Sequence, residues 1–219
     1  MAAARRLWDK SVAGFETTES YYAIQGLNTD GTINTSYEKL LDIDNLIDYI
    51  QLALYTDNYD APLCSWMSNP IRPNNFFAIY NRTNPDGFKW FVHDFEHTMN
   101  TKENETAVGV NNEWLISRTL AELSESFEFF NPYYIHLKLL ANAEYKMRFA
   151  DRAFKNLTTG GQLTPDSLRA TIDHRKSQFD VAIIAESARW GDAQVRVPKT
   201  KQTWVAAIDR IETQYICLL

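Results

Sequence analysis

Cysteine is almost missing from this chain of 219 residues, which holds only Cys64 and Cys217. Two thiols so far apart in sequence make neither a disulfide framework nor a four-ligand zinc site. Basic residues are outnumbered: 22 Lys and Arg against 28 Asp and Glu, a formal net charge of -6, with a pI near 5.3. That balance excludes the broad basic surface on which nucleic-acid binding runs, though a local basic pocket for phosphate stays compatible with it. Long apolar runs are missing too. Stretches such as Val181–Ala185 fall far short of the roughly 20 residues that a bilayer-spanning helix needs. The opening Met1–Trp8 carries Arg5 and Arg6 with no apolar run behind them, which is not a signal-peptide pattern. Localisation is therefore open. Glycine is scarce, and Gly14, Gly26 and Gly31 are too scattered to make a glycine-rich loop. What the chain has is apolar and aromatic matter, 45% and 13% of residues, which is enough for a packed core. It shows no internal repeat.

The pattern predicts a mainly helical fold with one β-hairpin. Helices are expected over about Ala2–Phe15 and Glu19–Ile24, the second ended by Gly26. Asp-Gly at the centre of Asn28–Asn34 marks a turn. Leu40, Leu41, Ile43, Leu46, Ile47, Ile50 and Leu54 recur at helical spacing, with Asp42 or Asp44 as N-cap. Tyr55–Pro73 has no period and carries Pro62, Pro70 and Pro73, so it reads as a long functional loop. Within it, Trp66 and Met67 read as core plugs or a partner surface. Phe76–Tyr80 and Phe88–Val92 read as strands joined through the turn Asn84–Gly87. Thr101–Asn112 is polar. Beyond it, helices are expected over Glu113–Phe127, Pro132–Leu157, a region from Pro165 to Arg189, and Lys199–Tyr215. Thr164 caps the third of these, with Pro165 at its first position.

Three side chains stand out. Asn75 enters the hairpin and Asp94 leaves it, and an antiparallel pair brings its outer ends together. Asp60 reaches the same place through the long loop. Two carboxylates and an amide at one open hairpin end suit Mg²⁺ or Mn²⁺. Phosphoryl transfer needs such parts: one Asp for the attacking hydroxyl, and an Asn and a second Asp for the metal. The plainer reading makes all three ordinary loop and turn residues.

Leu41–Tyr49 looks like the helix before the catalytic loop of spore-coat-protein-H (CotH) kinase-like proteins, and Tyr55–Asp60 resembles their Asn-x-Asp loop. Asn74–Tyr80 resembles the asparagine and aromatic strand that follow, and Phe91–His97 their strand and acidic segment. Phe149–Arg152 and Glu186–Asp192 resemble later family segments. The likeness runs from Tyr37 to Asp192. It implies the C-terminal catalytic lobe (C-lobe) of an atypical protein kinase over 37–219, with 1–36 as a helical N-terminal segment. It implies transfer of the ATP γ-phosphate to Ser or Thr of a protein substrate, with Mg²⁺ or Mn²⁺, and an extracellular or cell-surface setting. Asp60 maps to the catalytic aspartate, Asn75 and Asp94 to the metal ligands, and Asn58, Asn74 and His97 to supporting, cofactor-binding positions. Two features depart from the pattern: Ala61–Pro73 is inserted, and Glu96 stands where a conventional kinase has glycine. Before Tyr37 there is neither a glycine-rich loop nor a strand lysine, and Lys10 is the one lysine before Lys39. The chain as it stands is therefore expected to be a weak or inactive kinase.

Two other readings compete. A catalytically silent lobe would serve as a binding module at a surface or coat. His93-Asp94-Phe95-Glu96-His97 also fits a reversed zinc-hydrolase signature, which needs both histidines on one long helix. Arg148, Arg152, Glu186, Arg189 and Trp190 read as ion pairs and packing between helices.

Overall fold

The structure is a computed structural model, and it describes residues 2–64, 71–99 and 115–216. The readings for Trp66, Met67, Cys217 and Thr101–Asn112 fall outside those residues. Two compact units form. The first comprises Met1–Thr98 and Asn112–Ala153, the second Met99–Asn111 and Phe154–Leu219.

The first unit contains α1 (Ala2–Ala13), α2 (Thr18–Ala23), α3 (Ile43–Tyr55), β1 (Phe76–Ile79), β2 (Lys89–Val92), α4 (Pro132–Leu139) and the start of α5 (Ala143–Leu157). Helix α3 is the spine. Its apolar stripe, Ile43, Leu46, Ile47, Ile50 and Ala53, is buried, as helical periodicity requires of a core-facing face. Asp42 is the N-cap and accepts from the Asn45 N–H. Helix α4 packs on α1 and α3, and β2 lies against α3. Trp8, Tyr21, Leu40, Leu41, Trp90, Tyr134 and Tyr145 complete the core.

The two strands pair antiparallel as expected: Phe76 opposite Val92, Phe77 opposite Phe91, Ala78 opposite Trp90, Ile79 opposite Lys89. Its closed end is sewn to the chain before α3. Phe88 N–H donates to the Leu40 carbonyl at 2.9 Å, and Asp42 N–H to the Phe88 carbonyl at 3.2 Å. Asn45, in the first turn of α3, fastens the next residue. Its Oδ1 accepts from the Trp90 N–H, and its Nδ2 donates to the Trp90 carbonyl at 3.3 Å. An asparagine amide presents a donor and an acceptor as a peptide unit does, so it can stand in for a neighbouring strand. Asn45→Ala leaves the Trp90 N–H unpaired at a residue only 2% exposed. The expected cost is about 2 kcal/mol, read as a lower urea midpoint at unchanged slope. An unaltered midpoint would mean that water or the backbone replaces the amide.

Three expectations need correction. The single helix over Pro132–Leu157 is two, α4 and α5, with Asn142 at the break. Asn142 is buried, donates to the carbonyls of Phe15 (3.0 Å) and Thr17 (3.1 Å), and accepts from Glu144 N–H (2.9 Å). Tertiary bonding of one side chain outweighs helix propensity there. The helix over Glu113–Phe127 is absent from its described part, which holds a turn and the 3-10 turn Leu120–Glu122, with Phe127–Phe129 forming a second such turn. Glu122 accepts from Thr119 N–H at 2.7 Å, and Ser124 Oγ accepts from Ser126 N–H at 3.2 Å. Such short polar side chains offer the backbone partners that compete with a helix. Its apolar residues act as separate anchors: Leu115 and Leu123 are buried.

The third correction lies in the second unit, where the region from Pro165 to Arg189 is α6 (Pro165–Phe179) and α7 (Ala182–Trp190). Asp180 and Val181, between the two helices, keep right-handed helical dihedrals. Thr164 caps α6 and Pro165 opens it, as expected. Helix α8 (Lys201–Arg210) packs on α7 and runs into a π-helical turn, Ile211–Tyr215. Lys176–Asp209 (3.0 Å) and Lys201–Asp180 (2.6 Å) tie these helices together. Among the described residues, no helix is long and apolar enough to cross a membrane.

Candidate active site

The site begins where α3 ends. Asn58 N–H donates to the Ala53 carbonyl (3.1 Å) and Asp57 N–H to the Leu54 carbonyl (3.2 Å). Asp57 has φ 51°. Together these make a Schellman stop with aspartate in the left-handed position usually given to glycine. The stop turns Asn58 and Asp60 inward, and they are 2% and 3% exposed. Asn58 Oδ1 accepts from the Asp60 N–H at 2.8 Å, fixing the backbone of Asp60 from below. The Asn58 Nδ2 is buried without a hydrogen-bond partner.

The insertion after Asp60 closes on itself. Leu63 bridges antiparallel to Pro73, Cys64 N–H donates to the Arg72 carbonyl, and Asn74 N–H to the Pro62 carbonyl, both at 3.0 Å. The ladder returns the chain to its starting point, so Ala61–Pro73 does not carry Asp60 away from Asn74 and Asn75. Asn74 Nδ2 donates to the Asp60 carbonyl at 3.0 Å. Asn75 Nδ2 donates to the Asp60 carboxylate (Oδ2) at 2.9 Å and to the Asp94 carbonyl at 3.2 Å. One amide therefore gathers the loop, the strand entry and the strand exit at the open end of the hairpin. Asp94 is exposed at this end.

Asn75 (φ 50°) and Asp94 (φ 48°) are both left-handed, like Asp57. Among the described residues, Met99 is the one other non-glycine with positive φ. Asn and Asp tolerate this conformation best, yet it still costs energy, and such strain gathers at functional sites.

His97 lies next to this cluster. Its Nδ1 is hydrogen-bonded to the Tyr59 hydroxyl at 2.8 Å, and its Nε2 is 3.2 Å from Glu96 Oε1. The zinc-hydrolase expectation fails here on geometry. Residues 93–98 contain no helix, and His93 stacks against Phe77 at 4.4 Å between ring centroids while His97 bonds Tyr59. Two ligands on one helical face are what that chemistry needs. Among the described residues, no three His, Cys, Asp or Glu side chains gather as a metal cluster.

Arg148 and Arg152 serve α5. Arg148 Nε donates to Asp44 Oδ1 at 2.7 Å, and Arg152 Nε to Asp48 Oδ1 at 2.8 Å, across to α3. The pairing raises the Arg148 pKa through the Asp44 hydrogen bond. Arg189 lies over the Trp190 ring at 4.9 Å.

The family model for CotH kinase proteins matches residues 15–216, nearly the whole chain. The chain belongs to the CotH kinase family. The match takes in both strands of the hairpin, the loop that carries Asp60, and part of the helical segment before Tyr37. No curated protein and no solved structure matches this CotH-family chain significantly. Asn45 and Tyr59 were missed as contributors to the site's architecture. An asparagine in a helix's first turn among good helix formers was the one available signal for Asn45. Tyr59 gave none, because its partner lies 38 residues away.

Proposed function

We propose that this chain carries the acceptor-orienting and metal-holding part of a phosphoryl-transfer site, which acts with ATP on Ser or Thr of a protein substrate. The observation that supports it is the Asn75 amide, bonded at once to the Asp60 carboxylate and to the Asp94 carbonyl. With Nδ2 committed to those two acceptors, Asn75 has its Oδ1 left as an oxygen donor. An amide oxygen and the exposed Asp94 carboxylate are a hard-oxygen set that fits Mg²⁺ or Mn²⁺, both of which keep waters and share phosphate oxygens. The bound ion supplies neutralising charge to the nucleotide phosphates. Asp60 is held by its backbone from both sides, which orients its carboxylate to accept a hydrogen bond from an incoming hydroxyl.

Phosphate charge must also be met by groups that hold the nucleotide in line. The described residues before α3 form two helices and bridged loops, with no strand to carry a phosphate-facing lysine. Weak activity of the isolated chain follows.

Calorimetry is expected to show weak Mn²⁺ binding that Asp94→Asn reduces by about tenfold or more, and no tight ATP binding. Phosphorylation of a generic protein by this chain, abolished by Asp60→Ala, would uphold the residue roles and overturn the weak-kinase part. Mn²⁺ binding indifferent to Asp94→Asn would overturn the metal site, and a catalytically silent binding lobe would then be the better reading.

A further inference from the structure

Three side-chain amides around Asp60, those of Asn58, Asn74 and Asn75, come from the chain just before it or from the strand entry. The Asn75 amide ties Asp60 to the Asp94 backbone, and a second tie between the Asp60 loop and the chain beyond Asp94 runs through Tyr59 and His97. Their rings lie 4.8 Å apart at 52°, and the Tyr59 hydroxyl meets His97 Nδ1 at 2.8 Å. The other ring nitrogen faces Glu96 Oε1 at 3.2 Å. A carboxylate is an acceptor, so in the neutral ring Nε2 carries the proton and Nδ1 accepts from the tyrosine. The His97 side chain is 13% exposed, so water competes weakly for these bonds. Phe95 packs against the core, and Thr98 Oγ1 donates to the Phe95 carbonyl at 3.1 Å, which holds the segment from its other side.

We propose that Tyr59 and His97 form a positioning strut that sets the separation of Asp60 from Asp94; this rests on the phosphoryl-transfer reading of those two residues. Tyr59 precedes Asp60 directly, and His97 follows Asp94 by less than one helical turn's worth of chain. Moving either ring moves a functional carboxylate. With Nδ1 bonded to Tyr59 and Nε2 beside a carboxylate that would repel phosphate, His97 acts through Tyr59.

The test uses the full chain, with Tyr59→Phe, His97→Ala, His97→Asn and the Tyr59→Phe/His97→Ala double variant. Asparagine places an acceptor near the position of Nδ1. Two readouts are taken. In hydrogen exchange, Tyr59→Phe and His97→Ala should each speed exchange of the Asp60 and Phe95–His97 amides together by about tenfold, the worth of one such bond. His97→Asn should restore protection, and the double variant should be no worse than either single one. In calorimetry, Mn²⁺ affinity should follow the same order. Exchange unchanged in Tyr59→Phe, or changed at one segment alone, overturns the strut. Coupled exchange in a chain that binds no Mn²⁺ upholds the strut and sinks the metal-site reading.

Discussion

Gly87→Ala should lower the melting temperature by about 10 °C. The glycine has φ 91°, where a side chain is strained. A Cβ built there would lie 2.5 Å from the Asp42 nitrogen and 2.6 Å from the Leu41 carbonyl carbon. Both are backbone atoms at the start of α3 and cannot swing aside. Strain of about 1–3 kcal/mol adds to an overpacking cost of about 1–3 kcal/mol. A domain of this size has only about 5–15 kcal/mol in total, and each kcal/mol moves the midpoint by about 2–4 °C. Gly31→Ala is the control. It shares a positive φ of 82° but has no atom within 4 Å of its Cβ. It should cost only the conformational part, about 1 kcal/mol. Equal shifts for the two variants would show that close approach at Gly87 is unimportant.

The same contact matters for the site. Gly87 brings Phe88 against Leu40 and Asp42, and Asn45 then holds Trp90. These bonds anchor the hairpin near its closed end, on the spine whose last turn presents Asp60. The open end, with Asn75 and Asp94, is therefore fixed relative to Asp60 by one helix and one two-stranded ladder. A two-stranded hairpin is marginal by itself, so its attachment to α3 is what gives the cluster a defined geometry.

Local patterns made much of this legible. Aromatic and apolar runs on either side of the turn Asn84–Gly87 gave both strands, and antiparallel pairing then implied that Asn75 and Asp94 meet. Helical spacing and Asp42 gave α3, and Thr164-Pro165 gave the start of α6. These features depend on residues a few positions apart, where periodicity and capping chemistry act. The order of the CotH-like segments was legible for the same reason, since each is a short contiguous run. What escaped depends on distant partners. Asn142 breaks a helix because Phe15 and Thr17 need its amide. Nothing local marks Leu63 and Pro73 as a bridge, because each is drawn in by the closure of a loop and not by a period. The left-handed aspartate at the end of α3 hid a helix stop that glycine would have announced. In Leu115–Phe127, apolar spacing suggested a helix while the Glu122 and Ser124 side chains were drawing the N–H groups of Thr119 and Ser126 into turns.

Acid should destabilise the chain well before its carboxylates titrate, and His136 is the reason. It is 5% exposed on α4, with Nδ1 bonded to the Tyr145 hydroxyl at 2.7 Å and the Phe149 ring at 5.2 Å. Burial lowers its pKa from 6.5 to about 4, because the charged ring would lose its water. Above pH 6.5 the imidazole is neutral in both states and contributes no pH dependence. As pH falls from 6.5 towards 4, the unfolded chain takes up a proton that the folded chain refuses, so stability drops by up to about 1.4 kcal/mol per pH unit. Below about pH 4 the folded state protonates as well, and the loss levels off near 3 kcal/mol. Glu38 and Asp86, whose pKa values are lowered by hydrogen bonds from Arg6 and Lys89, lose their contribution only at lower pH. The window from pH 6.5 to 5 therefore isolates the histidine. Urea unfolding at intervals across that window should give a falling free energy for the wild type. His136→Phe alone would strand the Tyr145 hydroxyl at every pH, so His136→Phe with Tyr145→Phe is the proper comparison. That double variant should lose most of the slope between pH 6.5 and 5 while keeping the steeper acid limb below pH 4. Equal slopes in the two proteins would mean that His136 is protonated inside the fold, which its apolar and aromatic surroundings oppose.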